Sequence, residues 1–274
     1  MKKIGVFGPG LGALTITAQL KRAKACAELV HVADLTFNPY GNRPPRQVSS
    51  LVANAMRFLS ARGCEVVVLG CNTSSTQAES ALEQLTLEER PAQVVNILQV
   101  TVCGLERLAP NSHILILATV ATVESQFYQR ELAQRYPGMR VNVCALPQLA
   151  GLIDNGAAAD TIQRYLDREI ESHADALQEV QQVVLCCTHF PLVAKLIENS
   201  IERISGRSLN CLGQSAFVIE ELNKRFPACD VTAEPPPEIW ISARNDIFEQ
   251  IVQQEIGNFE MNLLKDWNLA EESQ

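Results

Sequence analysis

Short runs of valine, isoleucine and leucine alternate along this chain with longer stretches in which apolar residues recur every three or four positions. The short runs predict strands at Lys3–Phe7, Leu29–Ala33, Glu65–Leu69, Val94–Leu98, His113–Ala118, Arg140–Ala145, Gln182–Cys186 and Ser208–Leu212. The longer period predicts amphipathic helices at Arg46–Arg62, Ser74–Leu85, Val123–Tyr136, Ala158–Ala176, Leu192–Ser205 and Ser215–Arg225. Strands that alternate with helices imply βαβ units, because a parallel return needs a crossover. The expected class is α/β with parallel sheets, in which ligands gather beyond the carboxyl ends of the strands.

Two of those ends echo one another. Val66-Val67-Val68-Leu69-Gly70-Cys71-Asn72-Thr73 is matched by Val183-Val184-Leu185-Cys186-Cys187-Thr188-His189, and Cys71 and Cys187 stand 116 positions apart. The spacing predicts two similar α/β halves, each with one thiol at a strand terminus. Pro235-Pro236-Pro237 then breaks the alternation, and Glu238–Gln274 reads as an appended C-terminal segment.

Composition narrows the compartment and the partners. At 274 residues the chain fits one large domain or two smaller ones, and 47% hydrophobic with 20% charged residues excludes a disordered chain. Twenty-three basic against thirty-one acidic residues give a net charge of −8, which argues against a nucleic-acid footprint. No apolar run approaches the roughly 18 residues of a membrane span. The start Met-Lys-Lys-Ile-Gly enters a strand directly and does not read as a signal peptide. Nine cysteines, an odd number without a C-x-x-C pair, fit no secreted disulfide framework. The expected setting is a reducing cytoplasm.

A free cysteine is most often a small buried hydrophobe, and Cys26, Cys64, Cys103, Cys144 and Cys229 are read that way. Cys71 and Cys187 differ, because each follows a strand and precedes a helix start that would favour a thiolate. Two such thiols suit removal of a proton from one face of a carbon and its return on the other, one as base and one as acid. His189 is placed to orient or protonate Cys187 or a substrate carboxylate, with a structural histidine as the bland reading. His31, His113 and His173 show no ligand spacing, so no metal is expected. Gly8-Pro9-Gly10-Leu11-Gly12-Ala13 with Asp34 also fits a dinucleotide fingerprint, against an ordinary glycine turn or an anion loop. Tyr40-Gly41 reads as a turn that offers backbone N–H groups and a phenol to an anion, or as a packing turn. Thr119 and Thr122 are donors to a carboxylate or helix caps.

Together these segments resemble the aspartate/glutamate racemase family, its glutamate branch most closely. The matching stretches are Ile4-Gly5-Val6-Phe7 with the glycine loop, Asp34 with Pro39-Tyr40-Gly41, Gly70-Cys71-Asn72-Thr73, Leu117-Ala118-Thr119 with Thr122, Leu152–Gly156, and Leu185–Leu192. The resemblance implies a cofactor-independent racemase of two pseudo-symmetric α/β domains, with the active site at their interface. The halves would comprise residues 1–98 plus 208–274, and 99–207. Cys71 and Cys187 would be the acid/base pair, assisted by His189. Gly8, Pro9, Tyr40, Gly41, Asn72, Thr73, Thr122, Thr188 and His189 would line the substrate, an acidic amino acid. It further implies a homodimer and a supply of D-glutamate to peptidoglycan.

The family's first loop normally reads Gly-x-Phe-Asp-Ser-Gly, and here Gly8 and Pro9 replace the Asp-Ser pair. That removes a carboxylate, a hydroxyl and one backbone N–H. Cys186 replaces a glycine just before the second thiol. Isomerisation or decarboxylation of an amine-free dicarboxylate, and a silent homologue that keeps the pocket, are the competing expectations.

Overall fold

The computed structural model describes residues 2–23, 27–108, 110–225 and 235–264. Cys26 and Cys229, assigned above to packing, lie outside them. The chain divides into two units, Met1–Ile97 with Val218–Gln274, and Leu98–Phe217.

The first unit begins with β1 (Lys2–Gly8), β2 (Ala27–Ala33), β3 (Val66–Leu69) and β4 (Gln93–Asn96). The second contains β5 (His113–Ala118), β6 (Arg140–Ala145), β7 (Gln182–Cys186) and β8 (Cys211–Gly213). The first unit is completed by β9 (Glu238–Ile241) and β10 (Glu260–Leu263). Among the described residues these form a six-stranded sheet, β10-β9-β2-β1-β3-β4, and a four-stranded sheet, β6-β5-β7-β8. Every pairing is parallel.

The continuous apolar runs follow from that arrangement. All four residues of β3 and all six of β5 are buried, as expected where helices cover both faces of a parallel sheet. The helix Pro45–Ala61 starts with proline in its first turn and buries Val48, Leu51, Val52, Ala55, Met56 and Leu59 along one stripe. That stripe packs with Phe7, Val30, Val32, Val67 and Leu69 from the strands. The expected parallel α/β class is observed.

The strands β1 to β4 and β5 to β8 stand in the same spatial order. Each set begins on a central strand, sends the next to one side and the following two to the other. In each set the crevice beside that central strand is the topological switch point where ligands bind.

Several expected boundaries move. The run Val94–Leu98 divides, because β4 ends at Asn96 and Ile97–Gly104 is helical. A short apolar run does not distinguish a strand from a buried helix by period alone. Ser74–Leu85 becomes Asn72–Thr76 and Ala78–Glu83, interrupted at Gln77. Val123–Tyr136 becomes Val120–Glu124 and Phe127–Arg135, separated by Gln126 in the left-handed region at φ 52°. Ala158–Ala176 becomes Ala159–Glu171 and Ala174–Leu177. Leu192–Ser205 starts as an α-helix at Ala194, after a 3₁₀ turn over Phe190–Val193. The last predicted strand shifts from Ser208–Leu212 to Cys211–Gly213.

The reading of Glu238–Gln274 as an appendage is corrected where the chain is described. β9 pairs with β2 and β10 with β9, extending the first sheet. Between them the helix Asp246–Glu255 is capped by Asn245, whose side chain accepts from the Phe248 N–H at 2.8 Å. Phe248 and Val252 are buried beneath it. No described helix is long and apolar enough to cross a membrane.

Candidate active site

Each unit collects its own set of predicted residues at the carboxyl edge of its sheet. In the first unit, β1 runs into Gly8-Pro9, both buried. The Asp34 N–H donates to the Gly8 carbonyl at 3.1 Å, and the Gly70 N–H to the Phe7 carbonyl at 2.8 Å. These bonds hold the ends of β1, β2 and β3 together. A Cβ on Gly8 would come within 2.4 Å of the Ala13 methyl, and one on Gly70 within 2.8 Å. The start of helix Leu14–Arg22 therefore approaches both strand ends at a distance that only glycine permits there.

Cys71 follows Gly70 with an extended backbone and precedes the short helix Asn72–Thr76. Its carbonyl accepts from the Ser75 N–H at 2.9 Å, and its side chain is half-buried. Asn72 is buried and Thr73 half-buried beside it. The turn Tyr40–Asn42 packs against this helix. Tyr40 is buried with its ring 6.2 Å from that of Phe7, while Gly41 is exposed with open space above it.

The Tyr40 hydroxyl is engaged within the chain. It donates to Asp34 Oδ2 at 2.7 Å. Burial above all, then the Asp34 charge and that hydrogen bond, hold the phenol well above its ordinary value, with Cys71 adding to the effect. Tyr40 therefore stays a neutral donor, and what the turn offers a ligand is backbone. The dinucleotide reading loses its acid to the same observation. Asp34 is fully buried, and its oxygens accept from Tyr40, from the Phe37 N–H at 3.2 Å and from Ser242 Oγ at 2.9 Å. It is turned inward, not towards a ribose.

In the second unit, Ala118 at the end of β5 lies opposite Cys186 at the end of β7. Thr119 caps the helix Val120–Glu124, and its hydroxyl lies 3.1 Å from that of Thr122, which is buried. Beyond β7, Cys187, Thr188 and His189 are all buried. Cys187 Sγ is 3.7 Å from His189 Nδ1, and His189 Nε2 is 3.1 Å from Asp154 Oδ1. Burial opposes a charge on His189 most strongly, but the Asp154 carboxylate and its hydrogen bond, with Cys187, outweigh it. The imidazole is held well above its ordinary value. The ring is thus fixed between a carboxylate on one nitrogen and a sulfur on the other.

Asp154 lies in the Leu152–Gly156 stretch that carries the resemblance, but sequence reasoning gave it no role in the site. It ends the helix Leu149–Asp154, which packs on the turn Phe190–Val193 that follows His189. The sequence offers only an acid before Asn155-Gly156; the pairing itself is tertiary.

The remaining described thiols sort by environment. Burial pushes Cys64, Cys144 and Cys211 up to about 12, and Cys186 higher still. Cys186 is fully buried and hydrogen-bonded to Tyr128, whose hydroxyl also accepts from Gln214 Nε2 at 2.8 Å. Gln214 Nε2 reaches Thr101 Oγ1 at 2.9 Å, so the residue beside the second thiol belongs to an internal network. Cys103 is exposed, with an Arg135 N–H donating to its sulfur at 2.7 Å. Among the described residues no group of three His, Cys, Asp or Glu could hold a metal ion.

Comparison with known proteins follows from this geometry. The chain is 24% identical over 253 residues to a glutamate racemase of Lactobacillus acidophilus, covering 92% of each. Its fold superposes on a glutamate racemase of Bacillus anthracis with a TM-score of 0.80 at 20% identity, covering 97% of this chain and 98% of that one. A glutamate racemase of Francisella tularensis in complex with D-glutamate gives 0.78 at 20% identity, covering 98% of both. Residues 4–207 match the model of the Asp/Glu/hydantoin racemase family. Two α/β units of like strand order, each with a cysteine beyond its third strand, thus belong to a racemase, and the chain is a member of the Asp/Glu/hydantoin racemase family.

Proposed function

We propose that this racemase interconverts the enantiomers of glutamate, with Cys71 and Cys187 as opposed acid and base on one α-carbon. The observation that carries the reading is the topological equivalence of the two thiols, each beyond the third of four strands that stand in the same spatial order. One sulfur, as thiolate, takes the α-proton while the other, as thiol, delivers one to the opposite face, and the roles exchange with direction. His189, anchored by Asp154, stands against the Cys187 sulfur and orients it towards the substrate. Negative charge that develops on the substrate carboxylate is stabilised by preorganised donors, so no pyridoxal group is called for. Backbone N–H groups at Tyr40–Gly41, with Asn72 and Thr73, hold one carboxylate; Thr122 and Thr188 hold the other. Gly8 and Pro9 line the amine end without supplying a counter-charge.

The named relatives favour this reading over isomerisation or decarboxylation of an amine-free diacid. A reducing cytoplasm suits a site that depends on two free thiols. Assembly as a homodimer and provision of D-glutamate to the cell wall belong to the same reading.

The test is racemisation in D2O followed by proton NMR. With L-glutamate the wild type is expected to place deuterium at Cα of the D-enantiomer before the L-pool exchanges, as a two-base mechanism requires. Cys71→Ala and Cys187→Ala should each lower racemisation by at least about 10²–10⁴-fold. Absence of Cα exchange with glutamate or aspartate, or full activity in both variants, would overturn the proposal.

A further inference from the structure

The acid that sequence reading left over, Asp34, and the C-terminal segment meet at one point. Ser242 directly follows β9 and donates to Asp34 Oδ1 at 2.9 Å across 208 positions of chain. The same Ser242 oxygen accepts from the Thr36 N–H at 2.9 Å and from the Thr36 hydroxyl at 2.8 Å. The Ser242 N–H donates in turn to the Ala33 carbonyl at 3.1 Å. The buried Asp34 carboxylate, which also accepts from Phe37 N–H and Tyr40 hydroxyl, is thus the hub of the loop from residue 34 to 43. Its far end is closed by the Arg43 N–H on the Tyr40 carbonyl at 3.1 Å, and by the Arg43 guanidinium on the Phe37 carbonyl.

We propose that Asp34 and Ser242 are positioning residues that fix the Tyr40–Gly41 backbone for a substrate carboxylate, so that β9 sets the affinity of this turn. The inference rests on the reading that this turn holds substrate. Neither side chain needs to touch the ligand. Each holds a donor array whose placement, if it relaxes by a fraction of an ångström, weakens binding before it affects the chemical step. Loss of the Tyr40 hydroxyl takes the donor from the buried Asp34 Oδ2, and loss of the Ser242 hydroxyl takes one of two donors from Oδ1 and frees Thr36.

The experiment compares wild type with Ser242→Ala, Ser242→Thr and Tyr40→Phe. It measures kcat and KM for D-glutamate, the Kd for glutarate by calorimetry, and melting temperature. Ser242→Ala and Tyr40→Phe are expected to raise KM and the glutarate Kd about tenfold, with kcat within about twofold of wild type. Ser242→Thr, which keeps the hydroxyl, should restore both constants. Unchanged KM and Kd in folded Ser242→Ala and Tyr40→Phe would overturn the inference, as would a loss confined to kcat. If Ser242→Ala fails to fold, Tyr40→Phe decides, since it removes one hydroxyl and leaves the Ser242 bridge intact. If wild type binds glutarate without turning over glutamate, the racemase reading falls while the Kd comparison still decides the hub. If wild type binds neither, both fall.

Discussion

The Ala13 methyl fills the space into which a Cβ on residue 8 would project. A Gly8→Asp substitution therefore meets a rigid methyl and should destabilise the fold by about 1–3 kcal/mol, measured by chemical denaturation. Adding Ala13→Gly should recover most of that loss. In the double variant a carboxylate stands where the family's first loop has one. We expect KM for glutamate to fall about tenfold relative to wild type, because a charge-assisted bond to the ammonium becomes available. The Kd for glutarate, which has no ammonium, should not improve.

Two buried histidines respond to pH in opposite senses. His189 is raised by Asp154, so the folded chain keeps a proton that the unfolded chain releases near its ordinary value of 6.5. Its contribution to stability is complete below that value and is lost as pH rises through the folded one. His31 is fully buried in β2, with Nδ1 2.8 Å from Thr17 Oγ1, and burial lowers it to about 3. The unfolded chain then binds the extra proton, and stability is lost as pH falls from about 6.5 towards 3. Unfolding free energy should peak near neutrality. Asp154→Asn should flatten the alkaline limb and His31→Gln the acid limb; denaturation across a pH series checks both.

Thiol chemistry divides at the same scale. At pH 8, Cys64, Cys144 and Cys186 should resist iodoacetamide, since burial keeps them protonated and enclosed. Exposed Cys103 and half-buried Cys71 should be modified first, as mass spectrometry of peptides would show.

At the scale of elements, the helix junction at Gln126 stores strain. This exposed residue adopts φ 52°, one position after Ser125, whose hydroxyl donates to the Thr122 carbonyl at 2.7 Å. Glycine takes that conformation freely and a β-branched residue does not. Gln126→Gly should raise stability by about 0.5–1 kcal/mol and Gln126→Val lower it by about 1–2 kcal/mol, read from thermal unfolding. The period of the sequence predicted one helix across this junction, because apolar spacing carries through a single left-handed residue. Ile97–Gly104 was hidden for a related reason. It follows β4 without a break in apolar character, and only contacts decide where extended backbone gives way to helix.

At the scale of the whole molecule, the C-terminal segment is part of the first sheet. Ile239 and Ile241 are buried in β9, and Phe248 and Val252 in the helix after it. A chain ended at residue 234 would expose the edge of β2 and leave Asp34 without Ser242. It should be recovered in inclusion bodies, or unfold at lower denaturant than the full chain. The segment reads as an appendage because its strands are only four residues each and follow three prolines, too short for a period to show.

The sequence by itself determined the parallel α/β class and both thiol-bearing strand ends. Each is a local matter of apolar runs and the residues that follow them. It also named His189, because that residue lies two positions from Cys187. The tertiary structure decided the partners. Asp154 reaches His189 across 35 positions and Ser242 reaches Asp34 across 208, while Ala13 closes on Gly8 and Gly70 together. Local pattern records which residues a segment buries, but not which distant segment supplies the matching donor, charge or methyl. Chain folding brings those groups within bonding distance, and burial then makes their pairing obligatory.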